Sequence, residues 1–250
     1  MVLLLTLLSR FDKIFGHMTE NTKTDINLDE LFKAGAHFGF GKSRRHPSLT
    51  PYIFGSKNRV DIFDLEKTDE CLAKALEFVA SLAATKSTIL FVGGKNEAQT
   101  IIKEGAEQID MPFLASRWIG GTLTNFPEIR KRIDMMIDLL TQKEKGELGK
   151  YTKKERLLID RKIEKLQKMF GGIKNMTALP KALFIIDPRF EETALKEAQS
   201  LKIPVIALCG SDNNISGINF PIPANDAGLT SIKYFVSKIA DAYNEGKKSE

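Results

Sequence analysis

A short tract, Gly93-Gly94-Lys95, combines the residue types best suited to binding phosphate and lies between an apolar run and a helical segment. A glycine-rich turn ahead of a helix can cradle an anion, because backbone N–H groups and the helix dipole both favour negative charge. The tract does not complete G-x-x-x-x-G-K-[ST], and no G-x-G-x-x-G opens a helix. We therefore expect a tight turn followed by a surface lysine, with a nucleotide- or sugar-phosphate-binding enzyme as the alternative.

Histidines, cysteines and strand-end aspartates are the other candidates for catalysis or metal binding. His37 and His46 share one loop with no third ligand nearby in sequence, and neither of the two cysteines belongs to a metal or nucleophile motif. Asp187 and Asp212 follow apolar runs, where α/β enzymes place their sites, but acidic residues there are also common helix caps. We predict no enzymatic activity, no metal and no cofactor. Two cysteines without a pairing motif fit a reducing compartment.

Positive charge is concentrated in two parts of the chain, although the net charge of the whole is only +5. The range His37–Arg59 holds five Lys/Arg and no acid, and Glu128–Lys174 holds fourteen Lys/Arg against eight Asp/Glu. Concentrated positive charge attracts a polyanion, and neutralising phosphates releases counterions. We expect the cations of the first range to contact RNA, and its rings Phe38, Phe40 and Tyr52 to belong to the core.

Alternating apolar runs and amphipathic segments predict a parallel sheet with helical crossovers. Strands are expected at Thr88–Val92, Phe113–Leu114, Ala182–Ile186, Pro204–Leu208 and within Gly217–Pro223. Near the start of the chain, the pattern predicts a glycine-punctuated loop over 35–41, then two short strands, 52–54 and 60–63, joined by a turn at 55–58.

Two long helical patterns interrupt this rhythm between residues 127 and 170. Pro127 suits the first turn of one helix, and Thr152 with Glu155 forms a capping box that opens the next. The apolar positions of the two helices are Ile129, Ile133, Met136, Ile137 and Leu140, then Leu157, Ile159, Ile163, Leu166 and Phe170. Their spacing of threes and fours predicts an antiparallel coiled-coil hairpin inserted into the α/β domain.

The ends of the chain carry further expectations. The apolar run Val2–Leu8 is too short to span a bilayer, and it lacks the basic n-region and the small-x-small cleavage site of a signal peptide. We expect residues 1–24 to be a flexible extension, with residues 1–17 disordered or absent from the natural protein, and residues 246–250 to be a loose tail. The α/β domain would then comprise residues 25–126 and 171–245, with the hairpin at 127–170.

Several specific strings resemble the family of small-subunit ribosomal protein two, a universal ribosomal protein, in its bacterial type. The matching strings are Ala34–Gly39, Pro51–Gly55, Asp64–Thr68, Ile89–Gly93, Arg117–Phe126, Leu166–Leu179 and Ile203–Val205, and the most specific surrounds Arg117-Trp118. Two departures are visible: Phe40 stands where the family often has a histidine, and Gly210-Ser211-Asp212 where it often has Asp-Thr-Asn.

The resemblance implies a Rossmann-like parallel sheet flanked by helices, with the inserted antiparallel coiled-coil hairpin. It also implies a structural, non-enzymatic role on the small ribosomal subunit, in the bacterial cytoplasm or in an organelle, with no membrane and no small-molecule substrate. The implied partners are small-subunit ribosomal RNA at the junction of head and body, neighbouring ribosomal proteins and the large multi-domain small-subunit protein one. A hairpin that docks only protein is the alternative for 127–170.

Basic residues are the expected RNA contacts, because Lys and Arg hold phosphates and Arg can bind them bidentately. They are Lys42, Arg44, Arg45, Lys57, Arg59, Lys95, Arg117, Arg130, Arg132, Lys153, Lys154 and Arg156. We expect Trp118 to anchor its loop by packing, with its indole N–H bonded, rather than to stack on a base.

Overall fold

Residues 28–248 are described by the structure, a computed structural model. The expected N-terminal extension and positions 249 and 250 lie outside these residues. The helices are α1 (Leu28–Lys33), α2 (Leu65–Ala84), α3 (Asn96–Gln108), α4 (Phe126–Glu144), α5 (Lys153–Phe170), α6 (Glu192–Ser200) and α7 (Leu229–Lys248). The strands are β1 (Phe38–Gly41), β2 (Ile53–Lys57), β3 (Val60–Phe63), β4 (Ile89–Val92), β5 (Phe113–Leu114), β6 (Ala182–Ile186), β7 (Val205–Cys209) and β8 (Phe220–Pro223).

Five of these strands form a parallel sheet in the order β5-β4-β6-β7-β8. Counted among themselves along the chain, they follow the doubly wound order 2-1-3-4-5. The order reverses between β4 and β6, and ligands of such folds bind outside the carboxyl ends of the strands at that point. The parallel sheet flanked by helices confirms this part of the predicted fold.

Both faces of the parallel sheet are buried, which explains why its strands are continuous apolar runs rather than alternating ones. On one face, Phe91 and Phe184 pack among residues of α2, α3 and α7. On the other face, Leu90 and Ile185 pack with residues of α4 and α6 and with the last turn of α5. Successive residues of each strand therefore contribute to two separate apolar clusters, one on each face of the sheet.

The early part of the chain forms a second, antiparallel sheet in the order β1-β3-β2. The predicted loop over 35–41 is thus wrong at β1, where Phe38 pairs with Ile62 and the glycines hid the strand pattern. The hairpin of β2 and β3 was predicted, but its turn lies later, at Asn58 and Arg59, which both have positive φ of 52° and 64°. This conformation suits a tight two-residue hairpin turn.

Helices α4 and α5 are joined by a segment that contains a short 3-10 helix, Glu147–Lys150. Lys143 Nζ lies 2.6 Å from Asp160 Oδ1, which connects the two helices by an ion pair. The capping box of Thr152 and Glu155 is present as predicted. Part of the predicted apolar stripe is nevertheless exposed, since Leu157 retains 51% of its accessible surface.

Helix α7 continues through Lys248, beyond the expected start of the loose tail at residue 246. The reason is packing: Gly246 is buried, and a Cβ added there would lie 2.8 Å from the carbonyl oxygen of Ala80. The last turn of α7 is therefore held against α2. Within residues 28–248, none of the helices is both long enough and apolar enough to cross a bilayer.

Candidate nucleic-acid interface

The carboxyl edge of the parallel sheet, where α/β proteins bind ligands, is filled by the protein's own charged groups. Lys95 Nζ lies 3.1 Å from Asp187 Oδ2 and 3.5 Å from Asp226 Oδ2, and donates to the carbonyl oxygen of Asp226 at 3.2 Å. The N–H of Gly94 donates to Glu191 Oε1 at 2.9 Å. Carboxylates therefore occupy the positions that a phosphate would need, and Lys95 is mostly buried rather than the expected surface lysine.

Burial and mutual charge set the ionisation of this cluster. Burial acts to lower the pKa of Lys95, but the neighbouring Asp226 and Asp187 carboxylates outweigh it, so the pKa is raised and the ammonium form is favoured. Burial, followed by the charge of Asp187, raises the pKa of Asp226 to about 7. Burial also raises the pKa of Glu191. The cluster is held together by internal charge compensation, which argues against an anion-binding site at this turn.

The two histidines have separate local roles. His37 is stacked on Phe32, with ring centroids 4.5 Å apart, and is tilted against Phe38 at 4.0 Å. Nδ1 of His46 accepts the N–H of Ser48 and caps the following 3-10 helix. Across residues 28–248, no group of three or more His, Cys, Asp or Glu side chains is arranged to hold a metal ion.

Some basic residues of the range His37–Arg59 pair with acidic residues of the protein, and others do not. Arg45 is held by Asp61 through both carboxylate oxygens, with Nε 2.6 Å from Oδ2, and the Asp61 side chain is fully buried. Arg44 lies 3.3 Å from Asp212 Oδ2 but keeps an exposed side chain. Lys42, Lys57 and Arg59 are exposed, and none of the three has an ion pair within residues 28–248.

The rings in this range are not the core residues that the sequence predicts. Phe38 retains 51% of its accessible surface, while Phe40 and Tyr52 are only partly buried. Phe38 and Phe40 lie on β1 of the small antiparallel sheet, and Tyr52 ends the 3-10 helix that precedes β2, so none of the three rings belongs to the two apolar clusters of the parallel sheet. Phe54, on β2, is more exposed still at 79%.

A single carboxylate organises the tract that surrounds Arg117 and Trp118. Glu197, on α6, accepts a hydrogen bond from Trp118 Nε1 at 3.0 Å and further bonds from the backbone N–H groups of Gly121, Leu123 and Thr124. Trp118 is buried, so the prediction that it anchors its loop with a bonded N–H is confirmed. Arg117 itself remains exposed.

The basic residues of α4 and α5 also fall into two groups. Arg130 donates to the carbonyl oxygens of Lys174 and Met176 at 3.0 and 3.1 Å and pairs with Asp134 at 2.9 Å, so it braces the loop after α5. The others among the predicted contacts are exposed and have no ion pair in the described range 28–248. They are Arg132, Lys153, Lys154 and Arg156.

Comparison with known proteins adds a decisive observation to this geometry. The family model of ribosomal protein S2 matches residues 31–246. The chain belongs to the ribosomal protein S2 family. It is 44% identical to small ribosomal subunit protein uS2 of Roseiflexus castenholzii over 230 residues, which is 92% of this chain and 88% of that protein. It is 43% identical, with the same coverage, to small ribosomal subunit protein uS2 of a second Roseiflexus strain, RS-1.

The two departures from the usual pattern of the S2 family lie next to each other. A Cβ added to Gly210 would lie 2.8 Å from Cε2 of Phe40 and 2.3 Å from Oδ1 of Asp226. The Phe40 ring in turn lies below Arg44 and Lys95, with the charged groups 4.9 and 5.6 Å from its centroid. The ring takes up the space beside residue 210, so a side chain there would clash with it.

Two features of the interface were not singled out from the sequence. Glu197 carries no motif, and only the three-dimensional meeting of α6 with the Trp118 loop reveals its role. The other is a groove beside α3 that brings together Lys103, Arg117, Lys168 and Lys174 from four parts of the chain. Lys168 and Lys174 belong to the basic range 128–174 found in the sequence, but Lys103 lies outside both basic ranges.

Proposed function

We propose that this protein acts as a structural constituent of the small ribosomal subunit, binding ribosomal RNA and supporting subunit assembly and translation. The observation that carries the proposal is membership of the S2 family, whose model matches residues 31–246. Members of this family are structural proteins rather than enzymes, and the self-compensated Lys95 cluster leaves no phosphate site at the glycine turn. The protein works on the ribosome in the cytoplasm, with an organellar ribosome as the alternative setting.

The RNA-contacting set in this proposal consists of exposed cations without internal partners. Their charge is not neutralised inside the protein, so it is available for phosphates. They are Lys42, Lys57, Arg59, Arg117, Arg132, Lys153, Lys154 and Arg156. Arg44 is also exposed and can contact RNA beside Asp212. Arg45, Lys95 and Arg130 are assigned to positioning, because each already binds protein acceptors.

Residues 127–170 are proposed to form an antiparallel coiled-coil hairpin inserted between the two parts of the α/β domain, 25–126 and 171–245. The spacing of the buried residues Ile129, Ile133 and Met136 supports this, as does the Lys143–Asp160 ion pair. The exposed cations of α5 favour RNA contact over an arm that docks only protein.

Neighbouring small-subunit proteins are the second class of partner, and we include the large multi-domain small-subunit protein one among them. The support is an exposed aromatic face, where Phe32 and Phe38 flank His37. Exposed rings of this kind are enriched at protein–protein interfaces.

Sedimentation of the tagged protein from its native cell lysate tests the proposal. We expect co-migration with small ribosomal subunits at low salt and progressive loss as salt rises, because phosphate contacts release counterions. Migration as a free, low-mass species at both salt concentrations would reject the ribosomal role.

A further inference from the structure

An open groove runs between α3 and the end of α5, at the edge of the parallel sheet. Its cavity volume is about 990 Å³. Strand β5 and the residues that follow it, up to Arg117, form the floor. One wall is the polar face of α3, with Asn96, Gln99, Thr100 and Lys103, and the other is the last turn of α5 with the loop to Asn175.

Four cations line this groove, and each comes from a different element or loop. Lys103 lies on α3, Arg117 after β5, Lys168 in the last turn of α5 and Lys174 in the following loop. All four are exposed, and none has an ion pair within residues 28–248. Two acids also line it, at the carboxyl end of α3 and just beyond: Glu107 and Asp110. The groove is therefore net positive, and its charge is not neutralised internally.

The uncharged lining residues are of two kinds, polar side chains and apolar ones such as Met111, Phe113 and Met169. Gln99, Thr100, Ser116 and Asn175 present amides and hydroxyls along the groove. At Gly172 the wall meets the floor so closely that an added Cβ would lie 2.2 Å from the carbonyl oxygen of Phe113. The absence of a side chain there lets the loop after α5 pack directly against β5. Four cations together with neutral hydrogen-bonding groups suit a sugar-phosphate backbone.

We propose that this groove binds the sugar-phosphate backbone of a single-stranded segment of RNA. The four cations hold successive phosphates, and the amides and hydroxyls contact ribose hydroxyl groups, so recognition follows the backbone rather than the base sequence. The inference rests on the proposed ribosomal function and deepens it, because it assigns Lys103, Lys168 and Lys174 alongside Arg117. A single strand can lie along a groove of this size, whereas a double helix is recognised across broader surfaces.

A matched pair of triple variants tests the charge requirement. The groove variant is Lys103→Gln, Lys168→Gln and Lys174→Gln, and the control is Lys181→Gln, Lys202→Gln and Lys233→Gln, which removes the same charge from exposed positions elsewhere. Binding of each full-length chain to salt-stripped small subunits is measured across a salt series. We expect the groove variant to lose about tenfold or more in affinity and to flatten the salt dependence by roughly 2 to 3 in log–log slope, with the control near wild type. Equal losses in both variants would overturn the groove assignment.

A local crosslink gives an answer that does not depend on affinity. Asn175→Cys is made in a Cys71→Ser chain, where Cys209 is buried, and is labelled with a photoactivatable maleimide. Crosslinking within bound subunits should yield an RNA adduct. An adduct to a ribosomal protein, or none to RNA, rejects the inference while leaving the proposed function intact. Failure of the wild-type chain to bind subunits at all rejects the proposed function instead.

Discussion

The Glu197 carboxylate and the indole N–H of Trp118 are joined by a buried hydrogen bond of 3.0 Å. With the bonds from Gly121, Leu123 and Thr124, this carboxylate accepts five hydrogen bonds from one loop. Helix α6 thereby fixes the loop that begins at Arg117, although the two are far apart in sequence. The exposed Arg117 side chain is presented from a rigid support.

Glu197→Gln should loosen this loop. An amide keeps the size of the side chain but offers only one acceptor oxygen, and its NH₂ group would face backbone donors. We expect the free energy of unfolding to fall by about 2–3 kcal/mol. The emission of Trp118, the only tryptophan in the chain, should shift towards that of a more exposed indole.

The matched control is Glu192→Gln, on the same helix, where the side chain is exposed and pairs with Lys196. Exposed pairs contribute little to stability, so this variant should unfold like wild type with unchanged tryptophan emission. Equal effects at the two positions would show that Glu197 does not organise the loop.

Acidity should remove the contribution of Glu197. Burial acts to raise its pKa, but hydrogen bonds from Trp118 and from the backbone of Leu123, Gly121 and Thr124 outweigh burial, so the pKa is lowered. The unfolded chain then binds more protons than the folded one at acid pH. The stabilisation is complete above the unfolded value of about 4.3 and is lost as pH falls through the lower folded value. Denaturation of wild type and Glu197→Gln should differ less at about pH 3 than at pH 6; an unchanged difference would contradict this.

Local sequence patterns were enough to predict the parallel sheet, because its strands are buried on both faces and separated by amphipathic helices. The capping box at Thr152 and the packing of Trp118 were equally predictable, since each depends on neighbouring residues or on one large apolar ring. Strand β1 was missed because its two glycines mask any alternation.

Long-range pairing explains what the sequence could not reveal about the interface. A charge plot treats Arg45 and Arg59 alike, yet only Arg45 meets the buried Asp61. Lys95 was expected at the surface, but Asp226 reaches it from 131 positions away. Which cations are free for RNA is therefore decided by acids on distant elements, and periodicity carries no information about them.

Removal of the Lys95 ammonium should leave two carboxylates without their compensating charge. We expect Lys95→Met to lower the free energy of unfolding by about 3 kcal/mol or more, because Asp226 is almost fully buried. Adding Asp226→Asn should restore part of the loss, since Asp187 keeps hydrogen bonds from the N–H groups of Arg189 and Phe190.

The Lys95→Met defect should also depend on pH. The pKa of Asp226 is about 7 in wild type, and loss of the ammonium pushes it higher. A folded pKa above the unfolded one means that stability falls as pH rises through this range. The variant should therefore regain stability between about pH 8 and pH 6, measured by urea denaturation. A defect that stays constant over that range, or no rescue by Asp226→Asn, would show that the ammonium does not compensate Asp226.

Variants of Arg45 and Arg59 should distinguish a residue that positions the protein structure from a residue that contacts RNA. Arg45→Lys keeps the charge but cannot reproduce the two-point contact with Asp61, so we expect it to cost about 1–3 kcal/mol of stability. Arg59→Gln removes an exposed charge without an internal partner, so it should weaken binding to small subunits while leaving the denaturation midpoint unchanged. If Arg45→Lys weakened binding without a loss of stability, and Arg59→Gln lowered stability without a loss of binding, then Arg45 rather than Arg59 would contact RNA.

The exposed start of α5 offers the sharpest test of whether the helical arm contacts RNA or only protein. Reversal of three charges, Lys153→Glu, Lys154→Glu and Arg156→Glu, places carboxylates where phosphates would lie. If the arm touches the RNA backbone, affinity for small subunits should fall and the salt dependence should flatten by roughly one unit of log–log slope for each phosphate that is no longer neutralised. The same reversal at Lys181, Lys202 and Lys233 provides a charge-matched control. A fall in affinity with an unchanged salt slope would instead favour an arm that docks protein, because such an interface releases few counterions.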